Sequence, residues 1–149
     1  MISEEKVTIN IIKWLKENDW GIICYDFPQS GTGIMLHPNQ RDVDDKNKNG
    51  IIPDIIAIKD EKAVFFENKN RFYLNDFHKI NELRINNQYS HDLHLMVGNK
   101  HIAYGVGLPN SKNNIKKAKN HLDMIDFLVL VDDFGNIYIE YDHYLFYSS

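Results

Sequence analysis

Asp54, Glu67 and Lys69 are charged residues set inside otherwise apolar, β-branched runs between Ile51 and Lys69. A charged break at Lys59-Asp60-Glu61-Lys62 divides the runs, and the pattern predicts a β-hairpin. With Asp60-Glu61 as the loop, Lys59 pairs with Lys62 and Asp54 comes to face Glu67. Directly opposed Cα atoms lie about 4.5–5.5 Å apart, near enough for two carboxylates to share one cation. Alternation places Ile52, Asp54, Ile56 and Ile58 with Ala63, Phe65, Glu67 and Lys69 on one face. Ile51, Ile55 and Ala57 with Val64 and Phe66 take the other. Lys69 therefore returns to the side of the acids, where an ammonium can orient a water and offset negative charge that grows during attack. Charges beside a core are costly unless paired or metal-bound, so a plain buried ion cluster is the alternative to a reaction centre.

The elements that must position these groups follow from periodicity. Ser3 is placed to cap a first helix whose first turn holds Glu4 and Glu5 and whose apolar stripe is Val7, Ile11, Trp14 and Leu15, with Gly21 as its stop. Gly21–Phe27 reads as a strand, Pro28–Gly33 and Arg41–Gly50 as loops, and Asn75 to about Tyr89 as a second helix. Leu95–Val97 and His101–Val106 look strand-like. Ser111 can cap a third helix with Ile115, Ala118 and Leu122 inward, and Ile125–Val131 with Ile137–Tyr141 form a closing hairpin. The expectation is an α/β domain covering residues 1–149, a central mixed sheet flanked by helices.

The net charge of −4 speaks against a general nucleic-acid coat, but it is unevenly spread. Residues 69–121 hold nine Lys/Arg against three Asp/Glu, whereas residues 122–149 hold none against six. Such a basic middle can present a phosphate-binding face or be ordinary solvated lysine. One cysteine, Cys24, rules out an internal disulfide and a thiolate cage. The polar N-terminus and the lack of a long apolar segment make a soluble cytoplasmic protein the expectation.

Other patterns carry less. Asp45–Gly50 starts like a calcium loop, but Ile56 stands where a bidentate glutamate is required, so a surface loop is the better reading. His91, Asp92 and His94 are metal-binding types without further spaced ligands and read as an exposed turn. Tyr138, Tyr141, Tyr144, Phe146 and Tyr147 suit a core or dimer contact better than base stacking.

Pro53-Asp54 followed after twelve residues by Glu67-Asn68-Lys69 resembles the motif of the PD-(D/E)XK nuclease superfamily, which includes restriction endonucleases and Holliday-junction resolvases. The order helix, strand, motif hairpin, helix, strand is similar to its common core over roughly residues 3–107. The resemblance implies a restriction-endonuclease-like fold and an endonuclease that hydrolyses phosphodiesters in double-stranded DNA with Mg²⁺, Mn²⁺ being able to substitute. It implies that Asp54 and Glu67 bind the metal, a backbone carbonyl near Asn68 completes the site, and Lys69 orients or helps deprotonate the attacking water. Glu4 is a candidate extra acid, its alternative being a first-turn glutamate facing the helix dipole. Arg71, Lys112, Lys116, Lys117 and Lys119 are candidates for gripping DNA phosphates. A type II restriction endonuclease acting as a homodimer is the expectation. A Holliday-junction resolvase, a non-catalytic binding module that keeps the fold and a calcium-binding module are the rivals.

Overall fold

The computed structural model describes residues 2–27, 30–31, 33–39, 50–143 and 145–146. The Asp45–Gly50 loop considered above lies outside these residues except for Gly50.

Helix α1 (Glu4–Glu17) starts as its sequence dictates: Ser3 Oγ accepts the Lys6 backbone N–H at 3.2 Å, with Glu4 and Glu5 in the first turn. Val7, Ile11 and Leu15 are fully buried, and Thr8 lies on the same face. Gly21 does not stop this helix. The chain leaves it through Asn18 and through Asp19, whose φ is 69°, and Gly21 opens strand β1 (Gly21–Phe27). Polar side chains that tolerate the left-handed region can end a helix as well as glycine does.

Strands β3 (Ile55–Lys59) and β4 (Lys62–Asn68) form the expected antiparallel hairpin, and β2 (Ser30–Gly31) pairs with β1. The β3–β4 register runs from Lys59↔Lys62 to Ile55↔Phe66, as the Asp60-Glu61 loop requires. It stops one pair short of Asp54↔Glu67: at the next hydrogen-bonded pair Pro53 has no N–H to give, and the Asn68 N–H is taken by Asp54 Oδ2. Asp54 itself stays attached: its N–H donates to the Phe66 carbonyl at 3.2 Å, and its carbonyl accepts the Asp26 N–H at 3.0 Å. Before Pro53 the strand alternation no longer applies. Ile51 bridges to Leu36 and packs on the side of Ile56 and Phe65, not with Ile55 and Ala57 as the simple alternation has it.

Helix α2 (Leu74–Asn86) buries Phe77, Ile80 and Leu83 and ends at Asn87, with φ 49°, short of the expected Tyr89. Helix α3 (Ser90–Val97) corrects the strand expected at Leu95–Val97. Leu93 and Val97, four residues apart, face the core while Leu95 is 72% exposed, so the run is helical in period. The same helix carries His91, Asp92 and His94, which are therefore not in a turn, and Asp92 Oδ2 accepts the His37 backbone N–H at 2.7 Å. Strand β5 (His101–Pro109) runs parallel to β4 and to β6 (Phe127–Val131); β7 (Ile137–Asp142) closes antiparallel to β6. Helix α4 (Lys112–Ala118) and a 3-10 segment (Lys119–Met124) lie between β5 and β6, and Ser111 Oγ caps α4 through the Asn114 N–H.

Six strands thus form a mixed sheet in the order β1-β3-β4-β5-β6-β7, with β2 added outside β1. Helix α1 covers one face, where Val7, Ile11 and Leu15 meet Ile55, Ala57, Val64, Phe66, Phe127 and Val129. Residues of α2, α3 and α4 cover the other, against Ile56, Ala63, Phe65, Val106 and Leu108. The two-faced apolar hairpin read from sequence is this central position. Its neighbour β5 approaches closely only through glycine. A Cβ on Gly107 would lie 2.3 Å from Asn68 Oδ1 and 2.6 Å from Ile11 Cδ1.

Candidate active site

Where β4 ends, between the start of α1 and the start of α2, six charged side chains meet: Glu4, Asp54, Glu67, Lys69, Asp76 and Lys79. Asp54 enters from the segment before β3, held by one strong interaction: the Asn68 backbone N–H donates to its Oδ2 at 2.7 Å. Burial, and then the charge of Glu67, push the Asp54 carboxyl up to about 8, against the pull of that N–H. Glu67, in β4, is only 6% exposed. Burial raises its pKa too, although Lys79 and Lys69 oppose the shift. Its Oε2 accepts from Lys79 Nζ at 3.1 Å, and its Oε1 lies 3.9 Å from Lys69 Nζ.

Lys69 follows β4 on the same side and also pairs with Glu4 Oε1 at 3.6 Å. Partial burial acts to lower its pKa, but Asp76, Glu67, Glu4 and Asp54 outweigh that and hold the ammonium charged beyond its ordinary range. Asp76, in the first turn of α2, is raised by burial despite Lys69 and Lys79, and its Oδ2 is buried without a hydrogen-bond partner.

The fold thus brings together Asp54, Glu67, Lys69 and Glu4. It separates the Asn68 side chain, which alternation turns to the α1 face, where Nδ2 donates to Thr8 Oγ1 at 3.0 Å. Only the backbone of Asn68 belongs to the acidic side. Arg71 lies just beyond β4, its Nε donating to the Tyr73 hydroxyl at 2.8 Å and its guanidinium 4.8 Å above that ring. Lys112, Lys116, Lys117 and Lys119 are exposed along α4 and the turn after it. Phe146 packs against Trp14, Trp20 and Phe127, so it is core material, and Tyr141 packs on the other core; Tyr138 is exposed, and Tyr144 and Tyr147 lie outside the described residues.

No family model, curated protein or solved structure matches the chain. Its site is therefore read from its own geometry. Sequence reasoning missed Lys79 and Asp76. They stand one helical turn apart on α2, a spacing that shares a face, but nothing local tells which turn of a helix will lie over Glu67.

The donor set is oxygen-only, which suits a hard cation such as Mg²⁺ that keeps several waters. Burial and the charge of Glu67 raise the proton affinity of the half-buried Asp54 carboxyl, a cost that a bound divalent ion would relieve. Among the described residues no cluster of three or more Asp, Glu, His or Cys is set to hold a metal, so Asp54 and Glu67 form no closed cage with a third such residue there. Also among those residues, no helix is long and apolar enough to cross a membrane.

Proposed function

We propose that this protein is a metal-dependent DNA endonuclease of the PD-(D/E)XK type, with Asp54 and Glu67 as Mg²⁺ ligands and Lys69 beside them. The observation that carries this reading is the convergence of the buried Glu67 carboxyl, the half-buried Asp54 carboxyl and the Lys69 ammonium where the central hairpin ends. The element order α1, β1, β2, β3–β4, α2, α3, β5 supports it, being similar to the helix, strand, hairpin, helix, strand order of that family with β2 and α3 added. A bound Mg²⁺ would supply Lewis acidity toward the scissile phosphate and its attacking water.

The chain's own groups do the rest. Asp54 and Glu67 provide the anionic oxygens, fixed by the Asn68 N–H and by Lys79. With its carboxyl at about 8, Asp54 would have to give up its proton to hold a cation at neutral pH, so metal affinity should rise with pH. Lys69, held as an ammonium, suits the work of orienting water and offsetting phosphate charge better than that of taking a proton. Glu4 pairs with Lys69 and acts through it. Arg71 and the lysines of α4 are offered as phosphate contacts.

Within this class the acidic net charge favours a type II restriction endonuclease, cutting as a homodimer, over a resolvase that needs broad basic faces. Incubation of supercoiled plasmid with and without Mg²⁺ tests the reading, with Asp54→Asn and Glu67→Gln as controls. Cutting by the parent, lost by at least a hundredfold in both variants, is expected. Discrete fragments would mark a restriction enzyme and preference for four-way junctions a resolvase. No Mg²⁺-dependent cutting, or either variant within tenfold of the parent, would overturn the assignment.

A further inference from the structure

Glu67 has two oxygens in unequal circumstances. Oε2 accepts a hydrogen bond from Lys79 Nζ at 3.1 Å, whereas among the described residues Oε1 meets the longer 3.9 Å ion pair with Lys69. The carboxylate is nearly sealed from solvent, its side chain 7% exposed, so water contributes little to fixing its rotation. Lys79 reaches it from α2 with a side chain that is itself 36% exposed, an arm anchored outside the pocket and pointing in.

We propose that Lys79 is a positioning residue for Glu67, a role that rests on the nuclease reading: by holding Oε2 it leaves Oε1, the oxygen on the side of Lys69, free for the divalent ion. A carboxylate bound at one oxygen by a fixed donor presents the other in a defined direction, and outer partners of this kind typically change metal affinity or activity by about 10–100-fold when removed. The opposite role is also physically open. An ammonium beside a buried carboxylate can act merely as a resident counter-ion that the metal must displace, in which case its loss would tighten metal binding.

Two variants with the same charge separate these roles. Lys79→Gln loses the ammonium but keeps a hydrogen-bond donor; Lys79→Met loses both at similar length. Mn²⁺ binding to each folded, DNA-free variant is measured by calorimetry, with Lys79→Ala replacing the methionine variant if that one does not fold. Positioning through the hydrogen bond predicts that Lys79→Gln binds Mn²⁺ about tenfold more tightly than Lys79→Met, with Lys79→Arg near the parent. Equal affinities in the glutamine and methionine variants, or tighter binding by Lys79→Met than by the parent, would overturn the role. A parent that binds Mn²⁺ yet cuts no DNA removes the nuclease reading while leaving the comparison readable. A parent that binds no Mn²⁺ removes both.

Discussion

Asp54 contributes to the pH behaviour of the metal-free protein, in the same direction as Glu67 and Asp76, whose carboxyls burial also raises. The Asp54 carboxyl is raised from 3.8 to about 8 in the fold, so the native state holds a proton that the unfolded chain gives up near pH 4. The stabilisation this provides is fully present below that lower value and is lost as pH rises through about 8. Thermal melts in EDTA should therefore show a midpoint that falls between pH 5 and pH 9. Asp54→Asn should flatten that fall, and Mg²⁺ should raise the parent's midpoint more at pH 8.5 than at pH 6. A parental midpoint independent of pH in EDTA would contradict the burial described for Asp54. Lys69 makes a separate test. Lys69→Ala should slow single-turnover cleavage by about 10²–10³-fold while leaving DNA affinity, measured in Ca²⁺, little changed.

At the scale of elements, β5 determines how closely the site is backed. Gly107 stands opposite Asn68, whose N–H holds Asp54, and there is no room for a side chain between them. Gly107→Ala should destabilise the fold by about 1–3 kcal/mol and lower cleavage as well. Gly21→Ala is the control, since its Cβ would meet nothing nearer than 3.7 Å. Thermal melts and plasmid assays on the pair check this. The hairpin register, both helix caps and the closing β6–β7 pair were legible because period, loop chemistry and cap residues act locally. Leu95–Val97 was not, since an apolar run of that length fits a strand or a buried helix face equally well. The acids and Lys69 were legible because strand alternation fixes their side. Lys79 and Asp76 were not, because the placement of α2 over β4 is decided by packing of Phe77 and Ile80 against the sheet rather than by anything near those two residues.

Over the whole molecule, charge is segregated along the chain. The basic stretch includes α4 with its exposed lysines, whereas β6 and β7 belong to a segment without a Lys or Arg. On the nuclease reading, DNA should approach from the side of α2 and α4. Lys116→Ala should weaken binding in a salt-dependent way, lowering the slope of log affinity against log salt by roughly one, while leaving the rate at saturating DNA unchanged. Filter binding across a salt series, with single-turnover rates alongside, provides the check.

The chain's two tryptophans have a practical consequence. Trp14 and Trp20 both lie against Phe146, with ring centroids 5.1 and 5.8 Å apart, and border the same cleft as Lys59 at the loop end of the hairpin. Asp54 and Glu67 lie where the other end of that hairpin opens. Intrinsic fluorescence is thus a gauge of how Phe146 seats against Trp14 and Trp20, optically insulated from the cluster of Asp54 and Glu67. Phe146→Ala should shift the emission to the red, whereas saturating Mg²⁺ should leave the spectrum where it was.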